Sequence, residues 1–245
     1  MRGTGLVLAV LTLGLPTVAM AAPGLAETVS SPRSEKGVSE FEVRSGQLVG
    51  GSADGRGATL IEYERGLSDS FRVSVFAEVA HDGSRSKVEA LGLEGIFALG
   101  RIPGLGIDVG GYLALEQSVQ GQGGVVEAKA LFAKQAGPFE GRLNLIAETP
   151  LSQAGDLEFG YAAQATVTVV DDLGIGLQAF GDLGDSHSLG GRRRGYLGPM
   201  LQVETDSKAL GGELEFQVGY LFPVGMARAG NDGQFRLAIE LERKF

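Results

Sequence analysis

The residues whose types could do chemistry are few. Asp185-Ser-His-Ser188 is the one place where an acid, a histidine and hydroxyls crowd together. Ester hydrolysis needs a hydroxyl, a base beside it and a third group orienting that base, all converging in space. His187 and Ser188 offer the first two; the plain alternative is a solvated loop. The other histidine, His81, stands beside Asp82, and the chain has no cysteine. That is a poor donor set for a transition metal. Arg192-Arg193-Arg194 can contact an anion such as a lipid phosphate, or can be a solvated cationic patch. Asp54 and Asn231-Asp-Gly233 could hold Ca²⁺, yet read equally as turn formers. Gly104-Leu-Gly106 does not complete a nucleotide fingerprint. The chain is therefore read as a non-enzyme, with no catalytic, cofactor or metal site.

A richer set appears in the spacing of the charges. Along many segments, charged or small residues alternate with apolar ones. On one parity stand Arg72, Glu78, Glu94, Asp108, Glu116, Glu127, Lys129, Arg142, Glu148, Glu158, Asp182, Glu215, Arg236 and Glu240, with Glu42, Arg44, Glu62, Glu64, Glu204, Glu213 and Glu242. Carboxylates predominate, with small residues such as Gly110, Ala114, Gly160 and Gly219 between them. If this parity lines a lumen, the small residues suit a water-filled path and the acidity favours cations. Facing Arg and Glu side chains can equally pair and fill the interior.

The elements that must position these residues are β-strands. Phe71, Val73, Val75, Ala77 and Val79 alternate with Arg72, Ser74, Phe76, Glu78 and Ala80, and alternate residues of a strand face opposite sides. Dividing the chain at its turn signals predicts about twelve strands, near 40–49, 56–65, 71–80, 87–99, 105–117, 124–135, 140–149, 156–170, 174–183, 194–204, 212–222 and 234–245. An even number with alternately short and long connections is the rhythm of an all-β, up-and-down, antiparallel transmembrane barrel. A soluble β-protein is the rival, because alternation alone does not say which face is in.

Residues 1–22 read as a signal peptide: Arg2, the apolar run from Leu6 to Leu15, then Ala19-Met-Ala21. Residues 23–39 are polar and aperiodic, and predict a disordered periplasmic lead-in; the barrel follows over 40–245. No apolar run is long enough for a transmembrane helix. The formal charge of −9 argues against nucleic acid as a partner. Aromatics gather at strand ends, as interfacial girdles do.

Two stretches carry a resemblance. Phe235, Leu237, Ile239, Leu241 and the terminal Phe245 share one parity. This looks like the closing strand of a bacterial outer-membrane barrel, apart from Arg243 at an outward position. Tyr63-Glu-Arg-Gly-Leu-Ser-Asp-Ser-Phe-Arg-Val73 resembles a turn of the outer-membrane barrels of the MetA-pathway phenol-degradation type, matched at Gly66, Leu67, Ser68 and Asp69. The resemblance implies an outer-membrane transporter of small solutes, aromatic or hydrophobic ones among them. It also implies membrane lipid, lipopolysaccharide and the barrel-assembly machinery, through the C-terminal strand, as partners. A sealed structural or surface-interaction barrel and an outer-membrane lipid hydrolase are the alternatives.

Overall fold

The computed structural model describes residues 24–121, 123–151, 155–190 and 193–245. The predicted leader lies outside them. Twelve long strands form one sheet: β1 (Val38–Val49), β2 (Arg56–Ser68), β3 (Phe71–Asp82), β4 (Arg85–Ile102), β5 (Ile107–Ser118), β6 (Gly124–Ala136), β7 (Phe139–Pro150), β8 (Glu158–Val170), β9 (Leu173–Asp185), β10 (Arg194–Ser207), β11 (Gly212–Gly225) and β12 (Gly233–Lys244). Each pairs antiparallel with the next, and β12 pairs back on β1, Val38 opposite Lys244 and Val49 opposite Gly233. The barrel is closed and twelve-stranded, as the hairpin rhythm predicts. A two-residue strand, Ser188–Leu189, folds back on the end of β9.

Burial decides which face is in. In β2, Ile61 and Tyr63 are exposed on the outer face at 40% and 49%, while Glu62 and Glu64 are buried at 6% and 7%. The same holds around the ring for Val75, Leu93, Leu113, Leu145, Leu177, Leu201 and Ile239, all exposed. An apolar outside around a polar inside is the arrangement of a membrane barrel and the reverse of a soluble one. Closure leaves no unpaired sheet edge for lipid to meet.

The end that carries the start of β1 and the end of β12 is called the inner end here, the opposite one the outer end. Phe71 and Phe97 stack at 4.6 Å near the inner end, and Tyr220 and Phe222 meet edge to face at 5.3 Å near the outer. Phe245 lies beside Arg65 and Arg243, at 5.6 and 5.3 Å from its ring. Two local expectations change. The outer β3–β4 connection is only Gly83-Ser84, because both strands run further than predicted. Gly66 belongs to β2 rather than to the turn, which falls at Asp69-Ser70.

The largest departure is the N-terminal segment. Residues 24–37, expected as a disordered lead-in, run through the barrel interior. Gly24 abuts Phe180, Leu25 and Val29 are buried, Pro32 is fully buried, and Gly37 N donates to Gly66 O at 2.9 Å near the inner end. Inward-facing glycines make the room. A Cβ on Gly46 would overlap the Leu25 carbonyl, one on Gly66 the Glu35 carbonyl, and one on Gly110 would lie 2.6 Å from Pro32 Cβ. The segment is aperiodic because it forms no ladder; its partners are wall side chains.

Candidate functional site: the barrel interior

The segment is held along its length. Arg44 Nε donates to the Ala26 carbonyl at 2.8 Å, and Lys129 Nζ to Glu27 Oε1 at 2.7 Å. Arg236 donates to the Glu27 carbonyl. Asn144 engages Ser30 twice, accepting from its N–H at 2.7 Å and donating to its carbonyl at 2.9 Å. Arg72 donates to Ser31 O at 3.0 Å, and Arg33 reaches Asp108 at 3.0 Å and Glu140 at 3.3 Å. Backbone groups without a ladder must find such partners when buried. At the outer end of the segment the contacts turn apolar. Leu25 and Val29 cluster with Leu48, Ala58, Ala162, Phe180, Tyr196 and Leu221, and the Arg236 guanidinium lies 4.2 Å over the Phe180 ring.

The predicted inward residues are brought together in two arcs. Register places Glu204 opposite Glu215, Glu215 opposite Glu240, Glu240 opposite Glu42 and Glu42 opposite Glu62. Two residues nearer the inner end, a second row runs Asp206, Glu213, Glu242, Glu40, Glu64, Ser74, Glu94. Two arginines reach into these rows: Arg44 pairs Glu42 and, at 3.0 Å, Glu62, while Arg72 pairs Glu64 at 3.1 Å. Among the described residues, Glu213, Glu240 and Glu242 have no cation within 4.0 Å. Like charges directly opposite across a sheet destabilise it, by about 0.2–1 kcal/mol a pair. A smaller arc, Glu127–Glu148–Glu158, crosses β6 to β8 nearer the outer end, with Lys129 3.1 Å from Glu127.

The remaining predicted lining residues also sit on the inward side. Glu78 and Glu116 lie toward the outer end on β3 and β5, and Glu94 accepts from Tyr112 OH at 2.6 Å. Arg142 pairs Glu140 at 2.8 Å, and Asp182 pairs Arg194 at 3.0 Å. Sequence reasoning omitted Glu40 and the uncharged polar lining, Asn144, Gln164, Gln178, Gln202 and Gln217. The parity each shares with the inward charged residues of its own strand was the available signal.

Space is left beside the segment. A cavity of about 290 Å³ lies between Thr28–Ser31 and the two carboxylate rows. Another, of about 430 Å³, opens near the inner end between Arg33, Glu140, Thr166, Asp172, Gln202 and Glu204.

The loop candidates do not assemble a catalytic site. Asp185 Oδ1 accepts from the N–H groups of His187 (2.9 Å) and Ser188 (2.7 Å), which makes it a turn former. His187 is exposed and 3.0 Å from Asp156. His81 lies in β3, hydrogen-bonded to Thr59 and Ser86 at 2.8 Å each. Asp54 accepts from Gly50 N at 2.7 Å. Arg193 donates to the Gly190 and Ser188 carbonyls; Arg194 pairs Asp182; Arg192 lies outside the described residues.

No protein-family model matches the chain, and no curated protein matches its sequence. Solved structures do match its fold. An outer-membrane channel from Pseudomonas putida F1 superposes with a TM-score of 0.59 at 14% identity, over 92% of this chain and 100% of that one. The KdgM porin in complex with disordered oligogalacturonate gives 0.55 at 10% identity, over 85% and 99%. The NanC porin gives 0.54 at 11%, over 84% and 100%. At such identities the likeness is one of fold. With its apolar belt and closed sheet, the chain is a porin-like β-barrel of the bacterial outer membrane.

Proposed function

We propose that the protein is an outer-membrane channel for small solutes, selective for cations, whose lumen is narrowed by its own N-terminal segment. The observation that carries this reading is how the interior is filled. Its middle is occupied by one separable stretch of chain, Gly24–Gly37, with cavities beside it. A segment tied by side chains can open locally in a way the closed sheet cannot. The inner carboxylate rows supply the selectivity, and the porin-like fold supports passage. A polyanion such as oligogalacturonate would meet repulsion there.

The narrower reading, aromatic or hydrophobic solutes, rests on the phenol-degradation resemblance and on the apolar patch around Phe180 that Leu25 and Val29 fill. Removal of residues 1–22 at export, assembly through β12 and lipopolysaccharide contact by Arg192, Arg193 and Arg194 belong to the same proposal. So does the absence of enzymatic activity. The test is solute entry into liposomes by the full barrel and by a variant lacking residues 24–35. Entry of small cations that rises on deletion is the expected result. No entry through either, with the barrel correctly inserted, would favour the second reading, a sealed barrel working through its outer loops. The many polar ties of the segment are what favour that reading.

A further inference from the structure

The larger cavity, about 430 Å³ near the inner end, is built differently from the carboxylate rows. One row of the register crosses it: Thr168 on β8, Gly174 on β9 and Gln202 on β10. Gly174 is its floor. A Cβ there would meet Gln202 Cβ at 3.6 Å, an ordinary contact, so packing does not require glycine at this position. What the missing side chain leaves is room. Thr166 and Thr168 bring hydroxyls from one flank, and Gln202 and Glu204 bring an amide and a carboxylate from the other. Gln202 is only 8% exposed. Its Nε2 donates to Glu204, and its Oε1 has no hydrogen-bond partner. A buried acceptor without a donor is costly, and calls for one from outside the fold. Arg33 of the N-terminal segment also lines the cavity. It uses two N–H groups on Asp108 and Glu140, and a guanidinium carries five. Apolar lining is confined to Pro138, so a hydrocarbon or aromatic solute finds little to bury against.

We infer that this cavity binds a neutral cyclic polyol, a pyranose sugar. The lining mixes acceptors that lack donors with a cation that has donors to spare. A hydroxyl both donates and accepts, so neighbouring hydroxyls of one ring can donate to Gln202 Oε1 and Glu204 while accepting from Arg33. The threonine hydroxyls serve either role. A bare cation meets the acceptors and is opposed by Arg33. An anion meets Arg33 and is opposed by Glu204, Asp171 and Asp172. A neutral hydroxylated ring satisfies both kinds of group without either repulsion. The volume falls within the range of about 300–1,000 Å³ that small-molecule sites occupy. Because Arg33 belongs to the segment, the site is complete only while the segment is docked. The inference deepens the proposed channel by naming a solute class, and rests on that reading for passage; the binding itself does not depend on it.

Titration calorimetry of the full-length protein in a sugar-free detergent tests it, with the methyl glycosides of glucose, galactose and mannose as probes. Glucuronate and tetrahydropyran, the same ring with a charge and without hydroxyls, are the controls. Saturable binding of a neutral glycoside is expected, with glucuronate weaker and tetrahydropyran silent. Gln202→Met removes the unpartnered acceptor at nearly constant volume and should weaken binding by about five- to tenfold, the size of one lost hydrogen bond. Gly174→Leu fills the floor and should abolish binding in a barrel that still migrates as folded on an unheated gel. Saturation by none of the three glycosides, glucuronate or tetrahydropyran binding as tightly as they do, or binding unchanged in Gln202→Met would each overturn the inference. Entry of the same glycoside into liposomes reports separately on passage. Binding without entry keeps the site and removes the channel; entry without binding keeps the channel and removes the site.

Discussion

Strands β10, β11, β12, β1 and β2 show two chemistries on one face. Toward the outer end their inward residues are Tyr196, Leu221, Gln234, Leu48 and Ala58, apolar except for the buried Gln234; toward the inner end they are Glu204, Glu215, Glu240, Glu42 and Glu62. Parity is the same throughout, so alternation chose the face while depth along the strand chose the chemistry. The N-terminal segment follows the division. Its Leu25 and Val29 meet the apolar part, and Ser30 onward meets polar partners and leaves cavities. The outer part thus binds the segment by burial together with the ties of Ala26 and Glu27 to Arg44, Lys129 and Arg236, and the inner part leaves cavities beside it.

Four changes would break or sharpen that contrast. Leu25→Asp puts an unpaired charge into the apolar cluster, and breaking a buried charge balance costs about 3–5 kcal/mol. It should undock the segment, read as trypsin cleavage at Arg33 or Lys36 in a barrel that still migrates as folded on an unheated gel. Glu27→Ala removes the carboxylate that accepts from Lys129. Losing a charge-assisted hydrogen bond of about 1.5–3 kcal/mol should shift the docked-to-undocked ratio by about ten- to a hundredfold, seen in the same cleavage rate. Glu240→Gln relieves the Glu215 and Glu42 pairings. It should stabilise the barrel by about 0.2–1 kcal/mol per pair, measured as a higher urea midpoint, while lowering cation preference. If it destabilises instead, the inner row is held by something other than the charge balance drawn here. The smallest effect concerns salt. Cation preference should fall between 0.1 and 1 M KCl as the screening length shortens from about 10 to about 3 Å, whereas docking through Leu25 should not.

The barrel was legible because its signal is dense. Alternation of the kind seen from Phe71 to Val79 recurs in every strand, and turn residues break it at regular intervals. Which face is in required burial: Tyr63 and Glu62 differ only in side until exposure assigns them. The carboxylate rows were half legible. Parity named their members, but that Glu42 faces both Glu62 and Glu240 depends on register, and register is set by pairings between strands distant in sequence. Residues 24–37 were not legible as an interior element. Their polarity and Pro32 read as disorder, since periodicity detects ladders and this segment has none. The trace they left was indirect, in the inward glycines Gly46, Gly66 and Gly110 against which the segment packs.

The measurement that meets the central claim most directly is single-channel conductance in a planar bilayer under a KCl gradient, comparing the full barrel with the variant lacking residues 24–35. The account predicts small steps from the first and clearly larger ones from the second, with a reversal potential showing cation preference in both. Anion preference, or equal conductance with and without the segment, would contradict it.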